Sequence, residues 1–97
     1  MVVRIAGKNV DIGQALRTRI EETVEASAQK YFGGGSSGHA TVSKSGRLFE
    51  TELVLHLDTG IVLEAQGSDA DAHMSFEQAM ERLDKQLRRY KRRLKEH

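Results

Sequence analysis

Hydrophobic positions along this chain change their period from one stretch to the next, and each period predicts an element. Val2, Val3 and Ile5 make a short β-branched run, with Arg4 and Ala6 between, that closes on Gly7-Lys8-Asn9; this predicts a first strand and its turn. From Gly13, a tolerable N-cap, Leu16, Ile20, Val24, Ser27 or Ala28, and Tyr31 recur at helical spacing, with Glu21, Glu22 and Glu25 on the wet side, so an amphipathic helix should run to about Phe32. Alternation of period two follows. Ala40 and Val42 share one face of a strand over 39–43; Phe49, Thr51, Leu53, Leu55 and Leu57 alternate with Glu50, Glu52, Val54 and His56; Ile61, Leu63 and Ala65 alternate with Val62, Glu64 and Gln66. Ser45-Gly46 and Asp58-Thr59-Gly60 are turns of hairpin length, which makes these three strands an antiparallel meander. Gly67 and Ser68 should end it, and Asp69 or Asp71 should cap a last helix.

That last helix, Ala72 to His97, carries Phe76, Met80, Leu83, Leu87, Tyr90 and Leu94 at spacings of four and three, a single narrow stripe. No glycine or proline interrupts it, and at about 1.5 Å per residue it would reach on the order of 37 Å, more than a small domain needs. The first half of the stripe is expected to cover Val3, Ile5, Leu53, Leu55 and Leu63, with Tyr90 and Leu94 protruding. The element order β-α-β-β-β-α predicts an α+β fold in two layers: a four-stranded sheet, one face wet, with two helices packed on the other. Residues 1–97 are read as a single domain. Gly33-Gly34-Gly35-Ser36-Ser37-Gly38 reads as a loose connector; it lacks the Gly-Lys-Ser/Thr ending of a phosphate-binding loop and joins a helix to a strand rather than the reverse.

Charge changes the picture at the C-terminal end. The net charge of +1 conceals a division: residues 1–81 hold 7 Lys+Arg against 12 Asp+Glu, or −5, whereas Arg82, Lys85, Arg88, Arg89, Lys91, Arg92, Arg93 and Lys95 stand against only Asp84 and Glu96, or +6. At 100° per residue Arg82, Lys85, Arg89 and Arg92 stack in a row beside the apolar stripe, and Arg88, Lys91 and Lys95 share the other flank with Glu77, Glu81 and Asp84. A row of cations at helical spacing tracks phosphates, and arginine makes the forked contacts that phosphate accepts. The plainer alternative is a solvated face with i,i+4 pairs such as Asp84 to Arg88. Arg17 and Arg19 near the start of the first helix are placed to touch a polyanion, though two arginines on a helix are more often plain surface.

Candidate chemistry is sparse. The chain has no cysteine, which removes disulfides, zinc knuckles and thiol nucleophiles and fits a reducing cytoplasm. No apolar run approaches the ~20 residues of a membrane span, and no signal peptide is evident. His39, His56, His73 and His97 are scattered, with no nucleophile placed beside them. Asp69-x-Asp71-x-His73 has the outline of a chelate, yet aspartates before a helix are expected for capping and the helix dipole. Glu50, Glu52 and Glu64 are ordinary for a wet strand face. The expectation is a non-enzymatic chain without cofactor, metal or small-molecule substrate.

Ile5-Ala6-Gly7-Lys8-Asn9-Val10-Asp11-Ile12, then Ala15-Leu16-Arg17, and above all Leu83-Asp84-Lys85-Gln86-Leu87-Arg88-Arg89-Tyr90-Lys91-Arg92-Arg93-Leu94-Lys95 resemble the bacterial ribosome hibernation promoting factors, the ribosome-associated inhibitor group. The resemblance runs over the whole chain in the same element order. It implies binding to the small ribosomal subunit and the assembled ribosome, in the channel of messenger and transfer RNA, with basic helices on ribosomal RNA and translation halted in resting cells. Matched residue by residue, the implied RNA contacts are Lys8, Lys85, Arg88, Arg89, Lys91, Arg92, Arg93 and Lys95; the helical periodicity adds Arg82. The chain departs from the pattern at His73, where the family usually has a tyrosine, and in the Gly/Ser tract. Long members carry a linker and a second domain that pairs two ribosomes, and the arginine-rich ending resembles that form, which implies a further domain or dimer partner beyond this chain.

Two other readings stay open on residues alone. A double-stranded RNA-binding module has strands and helices in similar order and a basic helix. The three-four stripe from Phe76 to Leu94 is also a coiled-coil seam in outline.

Overall fold

A computed structural model of the protein describes residues 1–33 and 35–95; Gly34, Glu96, His97 and the side chain of Lys95 lie outside the described residues. The elements are β1 (Val2–Lys8), α1 (Gln14–Phe32), β2 (Ser37–Ser45), β3 (Leu48–His56), β4 (Val62–Asp69) and α2 (Ala72–Lys95). The four strands lie in the order β1-β2-β3-β4. β1 runs parallel to β2, which requires the crossover that α1 supplies, and the remaining pairs are antiparallel hairpins. The α+β sandwich expected from the element order is the fold.

Strand register turns sequence alternation into two faces. Ile5, Ala40, Leu53 and Ala65 form one inward row across the sheet, with Val3, Gly38, Leu55 and Leu63 beside it. Leu16, Ile20, Val24 and Ala28 of α1 and Phe76, Ala79, Met80, Leu83 and Leu87 of α2 cover these rows. α2 lies over β3 and β4 and packs beside α1. On the other face Lys8, Ser43, Glu50 and Ser68 lie side by side, next to Ala6, Thr41, Glu52 and Gln66.

α1 begins after Gly13 without a side-chain cap and ends at Gly33, whose φ of 71° turns the chain out of the helix while its N–H still bonds to the Gln29 carbonyl at 3.2 Å. Three expectations do not hold. Ser37 and Gly38 belong to β2 rather than to a connector, because Val2 and Val3 of β1 pair with them on one side and His56 and Leu55 on the other; Ser36 is buried as well. β4 likewise continues through Gly67 and Ser68 to Asp69 instead of stopping, and Ile61 stands outside the core, 37% exposed.

Gly67 has a second role. A Cβ there would fall on the Ser75 carbonyl oxygen and within 2.6 Å of the Ala79 nitrogen, so the missing side chain lets the α2 backbone lie directly on β4. Beside it, Ser75 donates to the Ala72 carbonyl at 2.7 Å, which leaves its oxygen to accept from Thr51 Oγ1, also at 2.7 Å. This buried pair ties the first turn of α2 to β3 without leaving either hydroxyl unpartnered.

Candidate nucleic-acid interface

α2 is set on the body by its first turn and held by one flank. Asp71 is the cap: its Oδ1 accepts from the His73 N–H at 2.9 Å and its carbonyl from the Ser75 N–H at 2.9 Å. Asp69 stands one step back, accepting from the Asp71 N–H at 2.8 Å. Both aspartates are therefore occupied in starting the helix, and among the described residues no group of three or more His, Asp or Glu side chains is arranged to hold a metal ion.

Three side chains of α2, four residues apart, bond to the outer edge of β4. Gln78 Oε1 accepts from the Ser68 N–H at 3.2 Å, Arg82 donates to the Gln66 carbonyl at 2.5 Å, and Gln86 donates to the Glu64 carbonyl at 2.7 Å. The spacing works because four helical residues rise about 6 Å and two strand residues about 6.6 Å, so an antiparallel helix and strand stay in step. Edge groups that would otherwise be free are satisfied, and the rotation of α2 about its axis is set. Gln78 and Gln86 escaped the sequence reading, since an amide contributes neither charge nor hydrophobic period; their place beside the stripe, four residues to either side of Arg82, was the available signal.

The opposite flank of α2 faces α1. Arg19 makes a forked pair with Glu77, Nε to Oε1 at 2.8 Å and Nη2 to Oε2 at 3.1 Å. That hydrogen bond first, and then the Glu77 charge, raise the Arg19 guanidinium above its ordinary value. Ser27 donates to Asp84 Oδ1 at 2.8 Å, and the other Asp84 oxygen meets Arg88 Nε at 3.4 Å, the i,i+4 pair expected from the sequence.

The predicted basic residues thus separate by environment. Arg82 is committed to β4, and Lys85 leaves the uncompensated row because Glu81, one turn back, reaches it at 3.4 Å. That corrects the row of Arg82, Lys85, Arg89 and Arg92. Lys91 lies with its Nζ 5.4 Å from the centroid of the Phe32 ring, and Phe32 packs against Tyr90 with centroids 5.5 Å apart. Arg89, Arg92 and Arg93 are exposed, and among the described residues no carboxylate lies within ion-pair reach of them. Lys8 projects on the open face of the sheet, where it and Arg82 line one concavity. The side chain of Lys95 lies outside the described residues.

What this arrangement offers is a cationic rod at one end of a molecule whose longest extent is 46 Å. Its outer charges are arginines, whose planar forks match phosphate oxygens. A family model described as "Sigma 54 modulation protein / S30EA ribosomal protein" matches residues 3–95. The chain belongs to this S30EA family. Among similar family members, the ribosome hibernation promotion factor of Rhizobium meliloti (strain 1021) is 50% identical over 97 residues, which are 100% of this chain and 51% of that protein. The ribosome hibernation promotion factor of Bradyrhizobium diazoefficiens is 49% identical over 96 residues, 99% of this chain and 47% of that protein. The chain spans about half the length of these relatives. In fold it is similar to the N-terminal domain of Thermus thermophilus Protein Y, with a TM-score of 0.83 at 24% identity over 93% of this chain and 99% of that one. It is similar as well to a ribosomal subunit interface protein from Coxiella burnetii, with a TM-score of 0.81 at 24% identity over 94% and 98% of the two chains. No helix among the described residues is long and apolar enough to cross a membrane.

Proposed function

We propose that this chain is a ribosome-binding hibernation factor that lies in the messenger and transfer RNA channel of the small subunit, with the distal half of α2 on ribosomal RNA. The observation that carries the reading is the group of exposed arginines Arg89, Arg92 and Arg93 on a helix whose rotation is fixed by bonds to β4. Membership of the S30EA family and the names of the relatives support the ribosome as the partner. Inhibition is by occupancy: a preformed surface reads the shape and phosphate pattern of folded RNA and excludes other RNA from the same volume, with no turnover. Arg88 and Lys91 add charge on the side of α1, Lys95 belongs to the same basic run of the sequence, Lys85 contributes once RNA competes for its exposed pair with Glu81, and Lys8 reaches RNA from the sheet.

Co-sedimentation with purified small subunits, assembled ribosomes and free duplex RNA across a salt series tests this. The chain should be retained on the small subunit, lose about 0.7–0.9 log units of affinity per phosphate contact for each tenfold rise in salt, and be displaced by initiator tRNA. The Arg89→Glu, Arg92→Glu double variant should lower retention about 100-fold or more, because two cations facing phosphate become two anions that it repels, with an unchanged thermal midpoint. Equal retention on free duplex would replace the proposal with a general RNA-binding module. Full retention of the double variant would remove α2 from the interface.

A further inference from the structure

The open face of the sheet holds a hollow of about 320 Å³ between Lys8 at the end of β1 and Arg82 at the edge of β4. Glu50 and Glu52 of β3 line it, together with Ser43 and Ser68. Register explains the gathering, since Lys8, Ser43, Glu50 and Ser68 lie in one row across the four strands and Glu52 is two residues further along β3 on the same face. Two cations and two carboxylates surround this one space, yet among the described residues none of the four pairs with an opposite charge. Arg82 is held at the rim by its bond to the Gln66 carbonyl, which uses one of five N–H donors. Glu52 is turned by the Gln66 amide, which donates to its Oε2 at 3.3 Å and leaves Oε1 without a partner among the described residues.

A ligand suited to this hollow needs an anionic end for Lys8, on one side of it, and N–H donors for the carboxylates, which only accept. A nucleotide has both. Among the bases, guanine presents N1–H and N2–H side by side on its Watson–Crick edge, so one carboxylate accepts two parallel bonds; adenine and cytosine present one amino group there, and uracil one imide N–H between two carbonyls. The volume lies at the small end of ligand pockets, about 300–1,000 Å³, which fits one nucleotide.

We propose that this hollow binds a guanine nucleotide, with the phosphate on Lys8 and the base edge on Glu50 or Glu52, two strands away. The source is either an unpaired guanosine of RNA, in which case the site extends the RNA-binding reading above, or a free mononucleotide. The 97-residue chain is titrated with GMP, AMP, CMP, UMP and inorganic phosphate while amide NMR shifts are followed. GMP should move the amides of Ser43, Glu50, Glu52 and Ser68 and bind about tenfold tighter than AMP or UMP, as expected for one bidentate base contact. Glu50→Gln, Glu52→Gln should abolish that preference, and Lys8→Gln should weaken all four nucleotides, both with an unchanged thermal midpoint.

A second titration uses short unpaired RNA with a single guanosine, against the same RNA with adenosine there. Guanosine preference in the oligonucleotide alone assigns the site to RNA; preference in the mononucleotide alone assigns it to free nucleotide; preference in both shows one site serving either. Equal response to all four bases, or shifts confined to the distal half of α2, overturns the proposal. Arg89→Glu, Arg92→Glu should leave the GMP titration intact. Failure of guanine binding with ribosome retention preserved therefore falls on this site alone.

Discussion

The two halves of α2 carry the same apolar stripe and live in different surroundings. Between Ala72 and Leu87 the stripe is closed against the body: Phe76 and Leu87 are fully buried, Leu83 and Met80 nearly so. The polar residues on either side are committed as well, Gln78, Arg82 and Gln86 to β4 and Glu77 and Asp84 to α1. Beyond Leu87 the contacts with the body thin to Tyr90 and Lys91 against Phe32, and Leu94 stands 47% exposed. The first half is an anchor and the second a projection, and Arg89, Arg92 and Arg93, exposed and without a carboxylate partner among the described residues, fall in the second. Packing and exposed positive charge are therefore written on one helix but largely on different residues, so each is open to change without the other.

Truncation separates the halves most sharply at their centres. Phe76→Ala should cost about 4 kcal/mol, the usual range for an aromatic removed from a closed core, measured by denaturant unfolding. Losing the Asp71 side chain comes next: Asp71→Ala should cost about 1 kcal/mol, because the cap on the first turn is lost while the packed turns remain. Leu94→Ala is the smallest, within about 0.5 kcal/mol, as for an exposed position outside the core. A loss at Leu94 comparable to that at Phe76 would mean that the distal half is also anchored and the comparison is wrong.

Most of the fold was legible because burial imposes its period on the chain. Phe49-Thr51-Leu53-Leu55 reads as a strand because each second residue faces the helices, and Phe76-Met80-Leu83-Leu87 reads as a helix for the same reason at another spacing. The misread places are those where a distant partner overrides local composition. Ser37 and Gly38 have the makeup of a linker but are strand because β1 and β3 both pair with them. Gly67 has the look of a strand's end but lies directly under the α2 backbone, with no room for a side chain. At the interface, the basic run itself was plain, whereas its division was not. A helical wheel places Glu81 and Lys85 only about 40° apart, so a boundary drawn between them concealed a pair that forms. The removal of Arg82 to the strand edge was invisible too, since its partner is a backbone carbonyl that has no letter in the sequence.

The ladder from Gln78, Arg82 and Gln86 to β4 also bears on how the sheet meets copies of itself. Growth of a sheet from molecule to molecule needs two open edges on every unit, one to receive and one to offer. Here β4 is closed by side chains of its own helix, and β1 is the other edge of the four-stranded order. Strand-to-strand addition between such molecules terminates at a pair, so a fibre built by that route has no second end from which to grow.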